Sequence, residues 1–272
     1  MSPSFIRPKD QQFIDLRALE TDHTPRTFKN TNTFLSAHVP FQEQGYFISE
    51  LLSTEQLSQL FSSIEKIVLN DLRAFQPDIT DFDLTNYHNV VSNDGIHRSI
   101  SKWGILIEEI EEFYLIVKEK MERLLGVELI TKTITHNSKE GQFVGYRLVR
   151  PQREDHNPFH KDSWLEYWQD TINVWLPLSG FNDDNGLQFI ESSHLFDNEN
   201  IYRTPSGYVS EGKTYHVPAA VAIDHPFTII RPRLSEGQGI IFSPYLIHGN
   251  GINNSADETR VSLEFRFAQK RR

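Results

Sequence analysis

The chain has 272 residues, enough for one large domain, and its 38% hydrophobic and 24% charged residues describe a globular protein rather than a disordered or fibrous one. Its 37 Asp and Glu outnumber 27 Lys and Arg, and a formal charge of -10 repels a phosphate backbone, which argues against a nucleic-acid partner. With no cysteine there is neither a disulfide framework nor a thiolate site, so any metal must be held by nitrogen and oxygen ligands.

The opening MSPSFIRPKDQQ has no apolar run of signal-peptide length, and no window reaches the roughly 18 apolar residues of a membrane span. A cytoplasmic location and no membrane partner are the expectation, and Asn253-Asn254-Ser255 is then a chance match to a glycosylation sequon. Residues 1–40 are polar, broken by Pro3, Pro8, Pro25 and Pro40, and read as an extended arm on a single domain spanning 41–272. From Ser53 the sequence STEQLSQLFSSIEKIVL places Leu57, Leu60, Phe61, Ile64, Ile67 and Val68 on one helical face, with Ser53 and Gln56 as a capping box. Residues 76–98 read as loop. A second helix is expected from about Lys102 to Leu125, with Ile110, Phe113, Val117, Met121 and Leu124 at helical spacing and Gly126 as its stop.

Beyond Gly126 the texture changes to short β-branched and aromatic runs between Gly, Asn, Asp and Pro clusters, and strands are expected at 130–135, 142–149, 171–178, 186–190, 227–231, 238–243 and 259–267. Helices followed by many short strands imply an α+β, mainly β fold. The expected architecture is a double-stranded β-helix, a cupin-like jelly roll, buttressed on one face by the helices of residues 53–125.

Among chemistry-bearing residues, His160-Lys161-Asp162 stands out, because residues two apart on a strand point to the same side and both reach one ion. A lone His-x-Asp says little, and its value comes from His248, which ends the Gly-punctuated apolar strand in GQGIIFSPYLIHGNGINNS. Two imidazoles and one carboxylate on one face of a metal leave three positions open, which suits iron(II) that binds a co-substrate and dioxygen (O2) together. In RVSLEFRF, Arg260, Ser262, Glu264 and Arg266 share one face. That face either lines a cavity, where an arginine fork anchors a carboxylate, or is a solvated surface with Glu264 paired to an arginine. In TINVWLPLSG, Asn173 and Trp175 share a face and are secondary site candidates, with Trp175 equally at home in a core. Arg147, Arg150 and Arg153 either approach an anionic substrate or form a solvated basic edge. His156 is set aside as a ligand because Pro158 breaks the helix it would need with His160, and His194 reads as structural.

Together these segments resemble the phytanoyl-CoA dioxygenase family of iron(II)- and 2-oxoglutarate-dependent oxygenases, from about Phe41 to the end. The likeness lies in the order FQEQGYFISELLSTEQL, HKD, INVWLPLSGFNDDNGLQFIESSHL, GQGIIFSPYLIHGNGINNS and the Arg260 strand. The resemblance implies that His160, Asp162 and His248 hold Fe(II) and that Arg260 binds the C5 carboxylate of 2-oxoglutarate, with Arg266 the alternative anchor. Asn250 takes the polar position two after the distal histidine, and Asn173 and Trp175 lie beside the co-substrate. The aromatic partner of the first motif is one of Tyr146, Trp164 and Tyr167. The implied reaction hydroxylates a small-molecule substrate and releases succinate and CO2, with Asp162 arguing against halogenation because it fills the position a halide needs. The alternative from another class is a non-catalytic cupin-like module that binds a small ligand or metal. Loops such as 76–98 and 196–226 shape the substrate side, leaving acyl thioesters, amino-acid derivatives and natural-product intermediates as classes.

Overall fold

A computed structural model describes residues 4–5, 20–21, 39–100, 107–130, 133–134, 140–141 and 143–269, less 154, 156, 184, 206, 211, 212, 216 and 250. The first long element, α1 (Thr54–Arg73), forms where the sequence places it. Ser53 accepts from the Gln56 backbone and the Gln56 side chain accepts from the Ser53 backbone, so two of the amides left without partners at a helix start are satisfied. Its apolar stripe, Leu57, Leu60, Ile64, Val68 and Leu72, is buried. The second long helix, here α3 (Glu111–Leu125), buries Phe113, Tyr114, Val117, Met121 and Leu125 and stops at Gly126, whose φ of 67° is the left-handed conformation that closes a helix. The expected first turns at 102–106 lie outside the described residues, and the helix starts later than expected, with Ile107–Glu109 a separate 3-10 turn and Ile110 the N-cap.

Residues 76–98 depart from the loop reading. A turn at Leu84–Asn86 runs into a short helix, Tyr87–Val90, and α2 (Asp94–Ile100) follows. These helices are too short to show a period, and side chains start them: Asp83 accepts from the Thr85 amide at 2.8 Å, and Asn93 accepts from the Gly95 and Ile96 amides. Leu84, Tyr87 and Ile100 then pin the segment into the core.

The remaining principal elements are strands: β1 (Tyr46–Glu50), β2 (Leu129–Ile130), β3 (Phe143–Val149), β4 (Thr171–Ser179), β5 (Gln188–Ile190), β6 (Ile201–Arg203), β7 (Ala220–Ile223), β8 (Ile229–Ile230), β9 (Gln238–Phe242), β10 (His248–Gly249) and β11 (Arg260–Gln269). The major antiparallel sheet runs β1-β9-β4-β11-β2, with β3 also paired to β11. Opposite it lies a minor layer in which β8-β5-β10 continues through a bridge between His160 and His248, and the Phe159 carbonyl accepts from the Ala220 amide of β7. Of the described residues before Val39, Ser4–Phe5 pairs with β7 and Glu20–Thr21 with β6.

Strand alternation sets the layers. Ile172, Val174, Leu176 and Leu178 of β4 and Val261, Leu263, Phe265 and Phe267 of β11 pack with α1 and α3 in the largest core cluster. The other face of the same sheet meets the minor layer through Trp175, Ile240, Phe242, Phe189 and Leu246. Helices, major sheet and minor sheet thus stack as three layers, the jelly-roll arrangement expected, and the polar groups of β4 and β11 point between the two sheets.

Two substitutions test this assignment of forces. Ser53→Ala is expected to lower stability by about 0.5–2 kcal/mol through the lost cap, and Phe265→Ala by about 3–5 kcal/mol through the cavity left under α3. Urea unfolding with an unchanged slope would measure both.

Candidate active site

His160 and His248 face each other across the bridge, each amide donating to the other's carbonyl at 2.9 Å, so their side chains leave on the same side and the rings stand 4.4 Å apart. The next residue explains how two backbones come so close. Gly249 has φ 139°, and a Cβ there would run into the Pro158 carbonyl, so glycine alone fits behind the distal histidine. Each ring is oriented by a carbonyl, with His160 Nδ1 donating to Pro158 O at 2.8 Å and His248 Nδ1 donating to Leu246 O at 2.9 Å. A carbonyl only accepts, so both protons sit on Nδ1 and both Nε2 lone pairs are available to an ion.

Asp162 does not lie on a strand as the spacing suggests; it opens a turn, Asp162–Trp164. The two-residue geometry survives because the intervening Lys161 is extended (φ -107°, ψ 134°). Asp162 therefore reaches the same side, with Oδ1 3.4 Å from His160 Nε2 and Oδ2 3.8 Å from His248 Nε2. One ligand atom from each of the three residues lies within 4.8 Å of the others.

Charge and burial here oppose each other. Asp162 is wholly buried, and burial alone would protonate it, but the Arg266 guanidinium holds its carboxyl well below the usual range. Burial, reinforced by His160, pushes the His248 imidazole down to about 4, so the ring is neutral and ligand-ready at pH 7. Asp162 Oδ1 has no hydrogen-bond partner among the described residues. A buried carboxylate with one bare oxygen, close to two imidazole lone pairs, fits a divalent cation, and an oxygen and nitrogen donor set of this composition fits iron(II).

The polar face of β11 is interior, not solvated. Arg260, Ser262 and Arg266 are buried there, and Glu264 pairs with Arg147 Nε at 2.5 Å inside the molecule, so the pairing expected of a surface occurs at an internal site. The two candidate anchors separate. Arg266 donates to Asp162 Oδ2 through Nη2 at 2.8 Å and lies over the Trp168 ring at 3.7 Å. Arg260 Nη1 donates to the Asn185 carbonyl, and its Nε has no partner among the described residues. Burial, with Arg147 and Arg231 nearby, pushes the Arg260 guanidinium down to about 9 against the opposing pull of Glu264.

Asn173 donates to Asp162 Oδ2 at 2.7 Å, whereas Trp175 packs between the sheets. Asn250 and His156 lie outside the described residues. His194 is structural as expected, Nε2 donating to the Gln42 carbonyl at 3.0 Å. Arg150 is neither a substrate contact nor a solvated edge. It is buried and held by Asp155 and Asp94 at 2.7 and 2.5 Å. Of the three aromatic candidates, Tyr146 points to the helical layer and donates to Ile100 O, Trp164 meets Arg203 at 5.5 Å, and Tyr167 adjoins Trp168 at 5.0 Å, with its hydroxyl feeling Asp162 and Arg266. Trp168 was not singled out from the sequence, and Asn185 only as the Asn185-Gly186 pair of the segment INVWLPLSGFNDDNGLQFIESSHL, with no role at the arginine. Their roles come from a ring face and a backbone carbonyl, which leave no signature in a side-chain pattern.

Residues 41–262 match the family model described as phytanoyl-CoA dioxygenase (PhyH). No curated protein matches the chain by sequence. Among solved structures it is similar to the non-heme monooxygenase ThoJ in its apo form, at 14% identity over 85% of this chain and 76% of that one, with a TM-score of 0.50. AviO1 from Streptomyces viridochromogenes Tue57 gives 13% identity over 87% and 95%, with a TM-score of 0.46. EctD from S. alaskensis, solved with 2-oxoglutarate and 5-hydroxyectoine, gives 15% over 97% and 87%, with a TM-score of 0.48. With the family model covering most of its length, the chain belongs to the phytanoyl-CoA dioxygenase family and is a non-haem iron(II), 2-oxoglutarate-dependent oxygenase.

Proposed function

We propose that this oxygenase hydroxylates a small organic molecule, releasing succinate and CO2, with His160, Asp162 and His248 holding iron(II) and Arg260 binding the C5 carboxylate of 2-oxoglutarate. The observation that carries the reading is the convergence of His160, Asp162 and His248, one ligand atom from each within 4.8 Å of the others, with the buried Asp162 Oδ1 lacking a hydrogen-bond partner among the described residues. Bound iron supplies the activation of dioxygen, and the chain supplies orientation and charge. Asp162 fills the third protein position, which supports hydroxylation over halogenation. Residues 41–272 act as one unit, and the pairing of Ser4–Phe5 and Glu20–Thr21 with the minor layer supports residues 1–40 as an arm.

Arg260 rather than Arg266 is the co-substrate anchor because Arg266 is already committed to Asp162. Arg260 is also held in place by what stands opposite. A Cβ at Gly251 would come within 2.9 Å of Arg260 Nη1 and 3.2 Å of Nη2, so the missing side chain at 251 makes room for the guanidinium.

His248→Ala is expected to abolish stoichiometric Mn(II) binding while leaving the fold intact, as read by calorimetry and circular dichroism. Arg260→Ala is expected to raise the 2-oxoglutarate dissociation constant at least thirtyfold, the lower end of the about 2–5 kcal/mol that a buried charged pair carries. Gly251→Ala is expected to raise it in the same direction with Mn(II) affinity unchanged, because only the guanidinium is displaced. The reaction itself is tested by a metabolite screen for substrate-coupled succinate release with iron and ascorbate. Stoichiometric ligand binding with no succinate under any condition would favour a non-catalytic module.

A further inference from the structure

The donors around Asp162 are one-sided. Arg266 sends Nε at 3.3 Å and Nη2 at 2.8 Å to the same oxygen, Oδ2, and Asn173 Nδ2 reaches that oxygen at 2.7 Å. Oδ1 of the same carboxylate receives no hydrogen bond among the described residues although it is buried. An arginine fork ordinarily spans both oxygens of a carboxylate, so this pairing forgoes one of its two natural bonds. The fork is fixed in that attitude from behind: its guanidinium lies over the Trp168 ring at 3.7 Å, and Nη2 stands 3.7 Å from Glu264, itself held by Arg147 at 2.5 Å. Asn173 sits directly opposite Arg266 in the pairing of β4 with β11, so both donors come off one rung of the major sheet.

We propose that Arg266 and Asn173 are positioning residues that occupy Asp162 Oδ2, so that the carboxylate offers a metal ion one oxygen and no more. The proposal rests on the reading of His160, Asp162 and His248 as iron ligands. Its consequence is a count. Three protein atoms leave three positions, a chelating keto acid takes two, and the last belongs to dioxygen. A carboxylate free to turn can bind through both oxygens and close that last position. Three N–H groups converging on Oδ2 make the turn costly, since each would lose a charge-assisted or buried hydrogen bond. The rung therefore guards the oxygen position without touching co-substrate or substrate.

The test counts water on the ion rather than turnover. Mn(II) is bound to the wild type and to Asn173→Ala and Arg266→Leu, and water-proton relaxation per bound ion is measured with 2-oxoglutarate present. The wild type is expected to keep an exchangeable water at the last position. Both variants are expected to fall to the outer-sphere value and to bind Mn(II) roughly 10–100-fold more weakly. Variants that bind Mn(II) and 2-oxoglutarate with wild-type relaxation per ion would overturn the proposal, even if their affinity or thermal stability drops, since a merely structural role predicts that pattern. If Arg266→Leu does not fold, Asn173→Ala decides alone, because truncating a neutral amide leaves no buried charge unpaired. A wild type that binds no Mn(II) would instead overturn the ligand assignment itself.

Discussion

Everything in this molecule's interior is arranged around one carboxylate placed where water does not reach. Taking an ionised carboxylate out of water costs several kcal/mol even after relaxation, so Asp162 stays charged only because compensation is built around it. Arg266 supplies the positive charge and Asn173 a further donor. The compensation is incomplete on one oxygen, Oδ1, which has no hydrogen-bond partner among the described residues, and this incompleteness supports the proposal that a cation completes the site.

The compensating charges propagate along β11. Alternation sends Val261, Leu263, Phe265 and Phe267 into the helical layer, and the same alternation necessarily sends Arg260, Ser262, Glu264 and Arg266 between the sheets. Along that row Arg266 answers Asp162, Glu264 answers Arg147 and approaches Arg266, and Arg260 is left with a backbone carbonyl. The row is a buried ladder of charges, and its Arg260 end is the one proposed to meet the carboxylate of a dicarboxylic co-substrate. A one-residue slip of β11 would invert the arrangement, driving phenylalanines into the site and arginines under α3, so the apolar packing that stabilises the sheet also enforces the chemistry.

Much of this was legible from residue order. The capping box at Ser53, the strand alternation of β4 and β11, and the HKD and distal-histidine segments all express local rules of period and spacing, and the structure keeps them except that Asp162 opens a turn rather than lying on a strand. What was not legible depends on which face meets what. The sequence left the polar face of RVSLEFRF as either cavity or surface, because alternation gives two faces without saying which is inward. Arg150 read as a possible edge because its carboxylate partners Asp94 and Asp155 sit on different elements. The short helices between 84 and 100 carried no period and are held by caps and by tertiary contacts, which a local pattern does not contain.

Arg150 also explains how the irregular stretch between β3 and His160 holds a ligand in place without regular structure. Its guanidinium binds Asp155 and Asp94 and the carbonyls of Val91 and Ser92. His97 closes the cluster, with Nε2 3.3 Å from Asp155 and Nδ1 3.1 Å from the Tyr87 hydroxyl. The segment leading into HKD is thereby bolted to α2. Its other side is tied to the segment that follows His248, since the Gln152 amide donates to Asn253 O at 3.0 Å and the Asn253 side chain donates to Val149 O at 2.8 Å. Two histidines 88 residues apart in sequence therefore approach through backbones tied at their own bridge, at this Gln152–Asn253 tie and where the Ser163 amide donates to the Pro244 carbonyl at 3.0 Å. Loops carry such sites best when side-chain networks replace the rigidity that a ladder of backbone hydrogen bonds would provide, and here a buried arginine with two carboxylates serves that purpose.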